Sequence, residues 1–190
     1  MTDTAKLTVG KAELYFRDGV ASPAFGTLPA VVSLGNIDIS NINPDVSYVT
    51  HYSAVKGKRV KDEEFTVTNG ISVTFTFDEI DKTNLQHFLL GGSIDTSASR
   101  MPVMLKEGIR GRAVLRFITD VGTQFKYVIP KCVMKSDGGL PLRSTDWVKG
   151  DMRLDIMYHN TYHVGNNSNA SLAPWGYVDF SSTIISGSEF

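Results

Sequence analysis

From Gly70 to Phe77 the sequence alternates without a break: Ile71, Val73, Phe75 and Phe77 fall on one side, Ser72, Thr74 and Thr76 on the other. A period of two matches the pleat of a β-strand, so this run reads as a strand with one face in a core and a hydroxyl-bearing face outside. The same character recurs in residues 7–16, 30–40, 46–52, 112–119, 124–135 and 147–159, most of them rich in β-branched or aromatic residues and bounded by Gly, Pro, Asn or Asp. Just upstream, Asn69-Gly70 suits either a tight turn or a bulge continuing into Phe65-Thr66-Val67-Thr68.

One segment departs from this period. Residues 81–90 open with a capping Asp81, close on Gly91 and place Leu85, Phe88 and Leu89 on one helical face. A helix this short is marginal alone in water, so that stripe is expected to lie on a sheet. The fold class that follows is all-β, mainly antiparallel, with one short flanking α-helix. Residues 45–64 fit a compact sandwich poorly and read as a long loop leaving a hairpin, which in compact domains is usually functional or disordered. It carries Lys56, Lys58, Arg59 and Lys61, then Asp62, Glu63 and Glu64. A solvated, charge-balanced surface segment is the plainer explanation of the same residues.

A chain of 190 residues can bury a self-sufficient core, and one domain is expected. With 19 Lys and Arg against 20 Asp and Glu, it has no cationic field to hold nucleic acid by counterion release. The single Cys132 sits in an apolar stretch and reads as a small buried thiol, consistent with synthesis in a reducing cytoplasm. The N-terminal residues Met1 to Lys6 show no apolar signal segment, and no apolar run is long enough for a membrane span, so no membrane role is expected.

Catalytic patterns are not found. His159 and His163 have a spacing that suits zinc on a helix, but strand-like sequence precedes them, Gly- and Asn-rich sequence follows, and two ligands do not close a site. Asp78, Glu79 and Asp81 cluster where a strand meets the helix, a position that favours acids on electrostatic grounds alone. Neither a nucleophile elbow nor a phosphate-binding loop occurs. The expectation is a protein without enzymatic activity, cofactor or metal.

Between Gly35 and Gly91 three pieces occur in a distinctive order: the strand Gly35-Asn36-Ile37-Asp38-Ile39, the charged run 56–64, and Val73-Thr74-Phe75-Thr76-Phe77-Asp78-Glu79-Ile80-Asp81-Lys82-Thr83-Asn84-Leu85. Together they resemble the tail tube (major tail) proteins of long-tailed bacteriophages with non-contractile tails. The resemblance implies a β-sandwich or barrel-like domain with long interaction loops, assigned to residues 1–160, and a C-terminal extension or arm at 161–190 that includes Trp175 and Phe180.

It further implies a structural virion protein, made in the host bacterial cytoplasm and residing in the tail. Six-fold rings of it would stack into a tube that conducts DNA during ejection. Its partners would be itself, a tape measure protein, and tail tip and tail terminator proteins; DNA would pass through the lumen without specific binding. On this reading Lys56, Lys58, Arg59, Lys61, Asp62, Glu63 and Glu64 reach the next ring, while Ser72, Thr74 and Thr76 face the lumen. Joining sheets between subunits would cover strand edges that are otherwise an aggregation hazard.

Two other classes compete. A monomeric β-sandwich binding module for a carbohydrate or protein ligand would use Tyr48, Tyr52, Trp147, Trp175 and Tyr177 in an aromatic groove. An enzyme of unfamiliar type would need convergent titratable groups.

Overall fold

Alternation makes strands, but their pairing decides the fold. A computed structural model describes residues 9–19, 32–95, 97, 99–119, 124–141, 148–164 and 168–180. Its strands are β1 (Val9–Asp18), β2 (Val32–Val55), β3 (Lys58–Phe77), β4 (Ile109–Thr119), β5 (Gln124–Ser136), β6 (Gly150–Ile156) and β7 (Tyr177–Asp179). The helix α1 spans Lys82–Phe88. Pairing runs β4-β1-β2-β3-β6-β5, all antiparallel, and β5 also pairs with β4, so six strands close into a barrel-like ring. The all-β, antiparallel class is therefore the observed one. The ring closes within one chain, so the barrel strands are paired without another copy, and the expectation of edges joined between subunits bears on the lengths of β2 and β3 beyond the barrel.

The inward residues form one continuous core. Leu14, Phe16, Val73, Phe75, Phe77, Leu115, Ile129, Met134, Met152 and Leu154 are all buried in it. Val73, Phe75 and Phe77 alternate with Ser72, Thr74 and Thr76, which stand on the outer face, as the period of two requires. Cys132 is buried, its thiol pushed up to about 12 by burial, so it is a packed hydrophobe rather than a nucleophile. A second, smaller cluster lies on the outside of β4 and β5, where Val114 and Val128 meet Tyr162 and Ala173, with Tyr15 and Tyr177 against them. The described part of the C-terminal segment thus lies against the barrel wall: Tyr127 donates to the Trp175 carbonyl at 2.7 Å, and β7 pairs with β5.

The helix closes one end of the barrel. Its N-cap is Asp81, whose carboxylate accepts from the Asn84 N–H at 2.6 Å. Its buried residues are Asn84, His87 and Phe88, which corrects the expected stripe of Leu85, Phe88 and Leu89: only Phe88 of those three is fully buried. The reason lies in contacts with distant segments. Asn84 spends its amide on the carbonyls of Leu34 and Glu79, tying the helix to β2 and to the end of β3. His87 sits edge-on to Phe16, and Phe88 edge-on to Phe77. Leu89 packs against the core only in part.

The helix ends in the paired bonds Leu90 N–H to His87 and Gly91 N–H to Gln86. The left-handed residue of this motif is Leu90, at φ 48°, not the glycine after it. Leu90 is held there by burying its side chain. Residues 1–8, 30–31, 147 and 165–167, on which parts of the strand and loop expectations fall, lie outside the described residues.

Two outcomes test this packing. At Gly111 an added Cβ would run into the Arg17 carbonyl and the Phe16 ring, where β4 passes β1. Because backbone cannot yield as a side chain does, Gly111→Ala is expected to cost about 3 kcal/mol in denaturant unfolding. Burial lowers the pKa of His87 from 6.5, and its Nδ1 has no hydrogen-bond partner. The folded protein holds this ring neutral while the unfolded chain protonates it near 6.5, so stability falls as pH drops through that value and is flat above it. Thermal unfolding at pH 7.5 and 5.5 should show a smaller loss for His87→Phe than for the unaltered chain.

Candidate assembly surface

β2 and β3 are much longer than anything beside them. β1 pairs with β2 only along residues 32–37, and β6 pairs with β3 only along residues 71–77. Beyond those points the two strands continue, among the described residues, as a lone two-stranded ribbon, paired from Asp45↔Gly70 out to Val55↔Lys58. At about 3.3 Å per residue the ribbon projects roughly 40 Å from the end of the barrel opposite the helix. Residues 45–64 are therefore not a loop, as the sequence suggested, but most of a β-hairpin. Its reversal is at Lys56-Gly57, both at positive φ, a two-residue turn whose twist matches that of the strands. Asn69-Gly70 is neither turn nor bulge; it lies in regular register opposite Asp45 and Val46. Where β3 carries extra residues, at Asp62 and Val67, the ribbon bulges instead.

The register sorts the ribbon into two faces. One carries Val46, Tyr48 and Tyr52 of β2 against Thr66, Glu64, Lys61 and Arg59 of β3. The other carries Val49 opposite Phe65, and Val60 and Val55 toward the tip. Polar links brace it: Ser47 to Thr68, Thr50 to Glu64, Lys61 to Glu64 at 3.1 Å, and Arg59 over the Tyr52 ring at 4.8 Å. His51 reaches Asp62 at 2.8 Å, and this hydrogen bond lowers the Asp62 pKa.

Among the described residues no apolar layer covers either face. Tyr48, Val49, Phe65 and Val67 are each more than half exposed. All four ribbon cations, Lys56, Lys58, Arg59 and Lys61, lie within the last turn and adjoining residues, with Asp62, Glu63 and Glu64 behind them. The ribbon is thus polarised along its length, positive at the tip.

Ser72, Thr74 and Thr76 stand together on the outer barrel wall, opposite Asp155, Arg153 and Asp151 of β6. Thr76 donates to Asp151 at 2.7 Å. Two cations on this wall are engaged, Lys135 and Arg153 binding Asp155 at 2.9 and 2.6 Å, while a third, Lys149, is exposed and lines the same recess as Thr76 and Asp151. Burial alone would raise the Asp155 carboxyl, but those two hydrogen bonds outweigh it and hold its pKa down.

The aromatic groove required by a binding module does not form from Tyr48, Tyr52, Trp175 and Tyr177. The first two stand on the ribbon, the last two pack on the barrel wall, and Trp147 lies outside the described residues. His163 Nδ1 meets the Ala170 carbonyl at 2.8 Å, and His159 lies edge-on to Tyr162. Sequence reasoning found the charges of the ribbon but not its exposed apolar residues; the signal was there, because two β-rich runs flank a Lys-Gly turn.

A family model described as "Protein of unknown function UCP028589" matches residues 16–103, which span the end of β1, the ribbon and the helix. No curated protein matches the chain.

Two phenylalanines on one strand provide a test. Phe75→Ala empties a fully buried site and should destabilise the isolated subunit by about 4 kcal/mol. Phe65→Ala, on the uncovered ribbon, should stay within about 0.5 kcal/mol in the same denaturant titration, yet weaken self-association measured by sedimentation.

Proposed function

We propose that this chain is the structural subunit of a bacteriophage tail tube, in which six-fold rings stack into the conduit for DNA. The observation that carries the reading is the ribbon. A two-stranded hairpin is at best marginally stable in water, and a long, open, hydrophobic strand edge is an aggregation hazard. Among the described residues this one has both outer edges open, and it carries apolar side chains on both faces. Burial against further copies of the same chain would satisfy all of these surfaces at once.

Two other features support the reading. The order of strand, charged hairpin, acidic junction and short helix is the one that resembles the tail tube family. The net charge of −1, and the pairing of Lys135 and Arg153 with Asp155 beside Ser72, Thr74 and Thr76, limit the cationic character of the wall that carries them. A wall of that kind lets a polyanion slide, because phosphate affinity rises with each cation available to it. In this reading the ribbon charges, from Lys56 to Glu64, contribute register and specificity between rings more than raw affinity.

Negative-stain microscopy of the purified protein tests the proposal. Rings or tubes with a central hole are expected; a strictly monomeric species at high concentration overturns it.

A further inference from the structure

The chain has a second uncovered apolar surface, at the opposite end from the ribbon tip. Val103, Met104 and Leu105 are consecutive and 56%, 70% and 67% exposed. Three large apolar side chains in a row on a surface are unusual without a binding role. They are not a loose tip. Met104 N–H bonds to the Leu89 carbonyl at 2.9 Å and Leu105 N–H to that of Leu90 at 3.0 Å, so the turn is fastened to the C-terminus of α1. Met104 itself is held at φ 54°, a left-handed conformation unfavourable for a residue with a side chain. The backbone therefore holds this apolar trio outward.

The surroundings complement the ribbon. At the other end of the same helix, Asp78, Glu79 and Asp81 are exposed, with only Lys82 beside them in sequence, while Lys106 next to the trio is engaged by Asp18 at 3.5 Å. The apolar turn at the C-terminus of α1 and the acidic cluster at its N-terminus thus share one end of the molecule, separated by the length of a seven-residue helix. A ribbon with exposed apolar faces and a cationic tip lies at the other.

We infer that the outer half of the ribbon, residues 49–61, docks on the Val103–Leu105 turn of a second copy, with Arg59 and its neighbouring lysines against the acidic cluster. Tyr52, already stacked under Arg59, meets Met104, a favourable sulfur–aromatic pairing. Two different patches on opposite ends make this contact head-to-tail, so it does not close on a pair of copies but repeats along an axis. It rests on the tube reading above and specifies which surface the ribbon meets.

The test replaces Met104 with the photo-reactive p-benzoylphenylalanine and irradiates the assembled protein. Cross-links from position 104 to residues 49–61 of another copy are expected. Cross-links only elsewhere, or only within one chain, overturn the docking while leaving the tube reading standing. Independently, Lys58→Glu, Arg59→Glu and Lys61→Glu together should cut the assembled fraction at least about tenfold, and adding Asp78→Lys with Glu79→Lys should restore it. Failure of that restoration also overturns the docking. Failure of the unaltered protein to assemble at all overturns the tube reading itself.

Discussion

Each of the six barrel strands pairs with a neighbour on both sides over part of its length, and the longest unmatched stretch is where β2 and β3 outrun their neighbours. Much of the rest depends on that mismatch in length. Where the neighbours are present, six strands close on themselves and bury a continuous core, so the domain needs no other copy to fold. Where they stop, the same two strands leave the core and carry their alternating residues into solvent. The inward side of β3 changes from Val73, Phe75 and Phe77 to a face with nothing to pack against, without any break in pairing with β2.

This gives the molecule two unlike ends. The helix end is sealed by Phe88 and His87 against Phe77 and Phe16, and by the bonds of Asn84 to β2 and the β3–α1 junction. The ribbon end is open, braced by short polar links rather than by a core. Burial is concentrated where the subunit must be stable by itself, and the uncovered apolar side chains are concentrated where a partner would add stability. Charge follows the same division, with cations at the ribbon tip and carboxylates around the start of the helix. In a tube subunit, such an arrangement lets the free protein stay folded while reserving its largest apolar surface for assembly.

Much of the fold was legible in the sequence because it rests on local rules. The Gly70 to Phe77 alternation placed Val73, Phe75 and Phe77 inside and the three hydroxyls outside, and Asp81 was recognisable as a cap because an N-cap carboxylate acts within its own first turn. Readings that needed distant partners fared worse. The buried face of the helix turned on Asn84 finding the Leu34 carbonyl, fifty residues away, which no helical wheel contains. The left-handed position fell to Leu90 rather than Gly91 because burial of the leucine side chain offsets its backbone strain. Charges at 56–64 suggested a solvated loop, since charge density is a fair sign of exposure but says nothing about whether an exposed backbone is paired.

The sequence by itself determined most of the barrel strands, which face of the inner half of β3 is apolar, where the helix begins and that the net charge is close to zero. These are set by side-chain period, capping chemistry and composition, all of which act over a few residues. Only the tertiary structure decided that the strands close into a ring within one chain, that residues 45–70 form a ribbon projecting from it, and that Tyr48, Val49, Phe65 and Val67 lie uncovered. The physical reason is that a strand's edges and faces acquire meaning from the strands beside it: the same alternating residues are core where a second layer covers them and exposed where the neighbouring strands have ended.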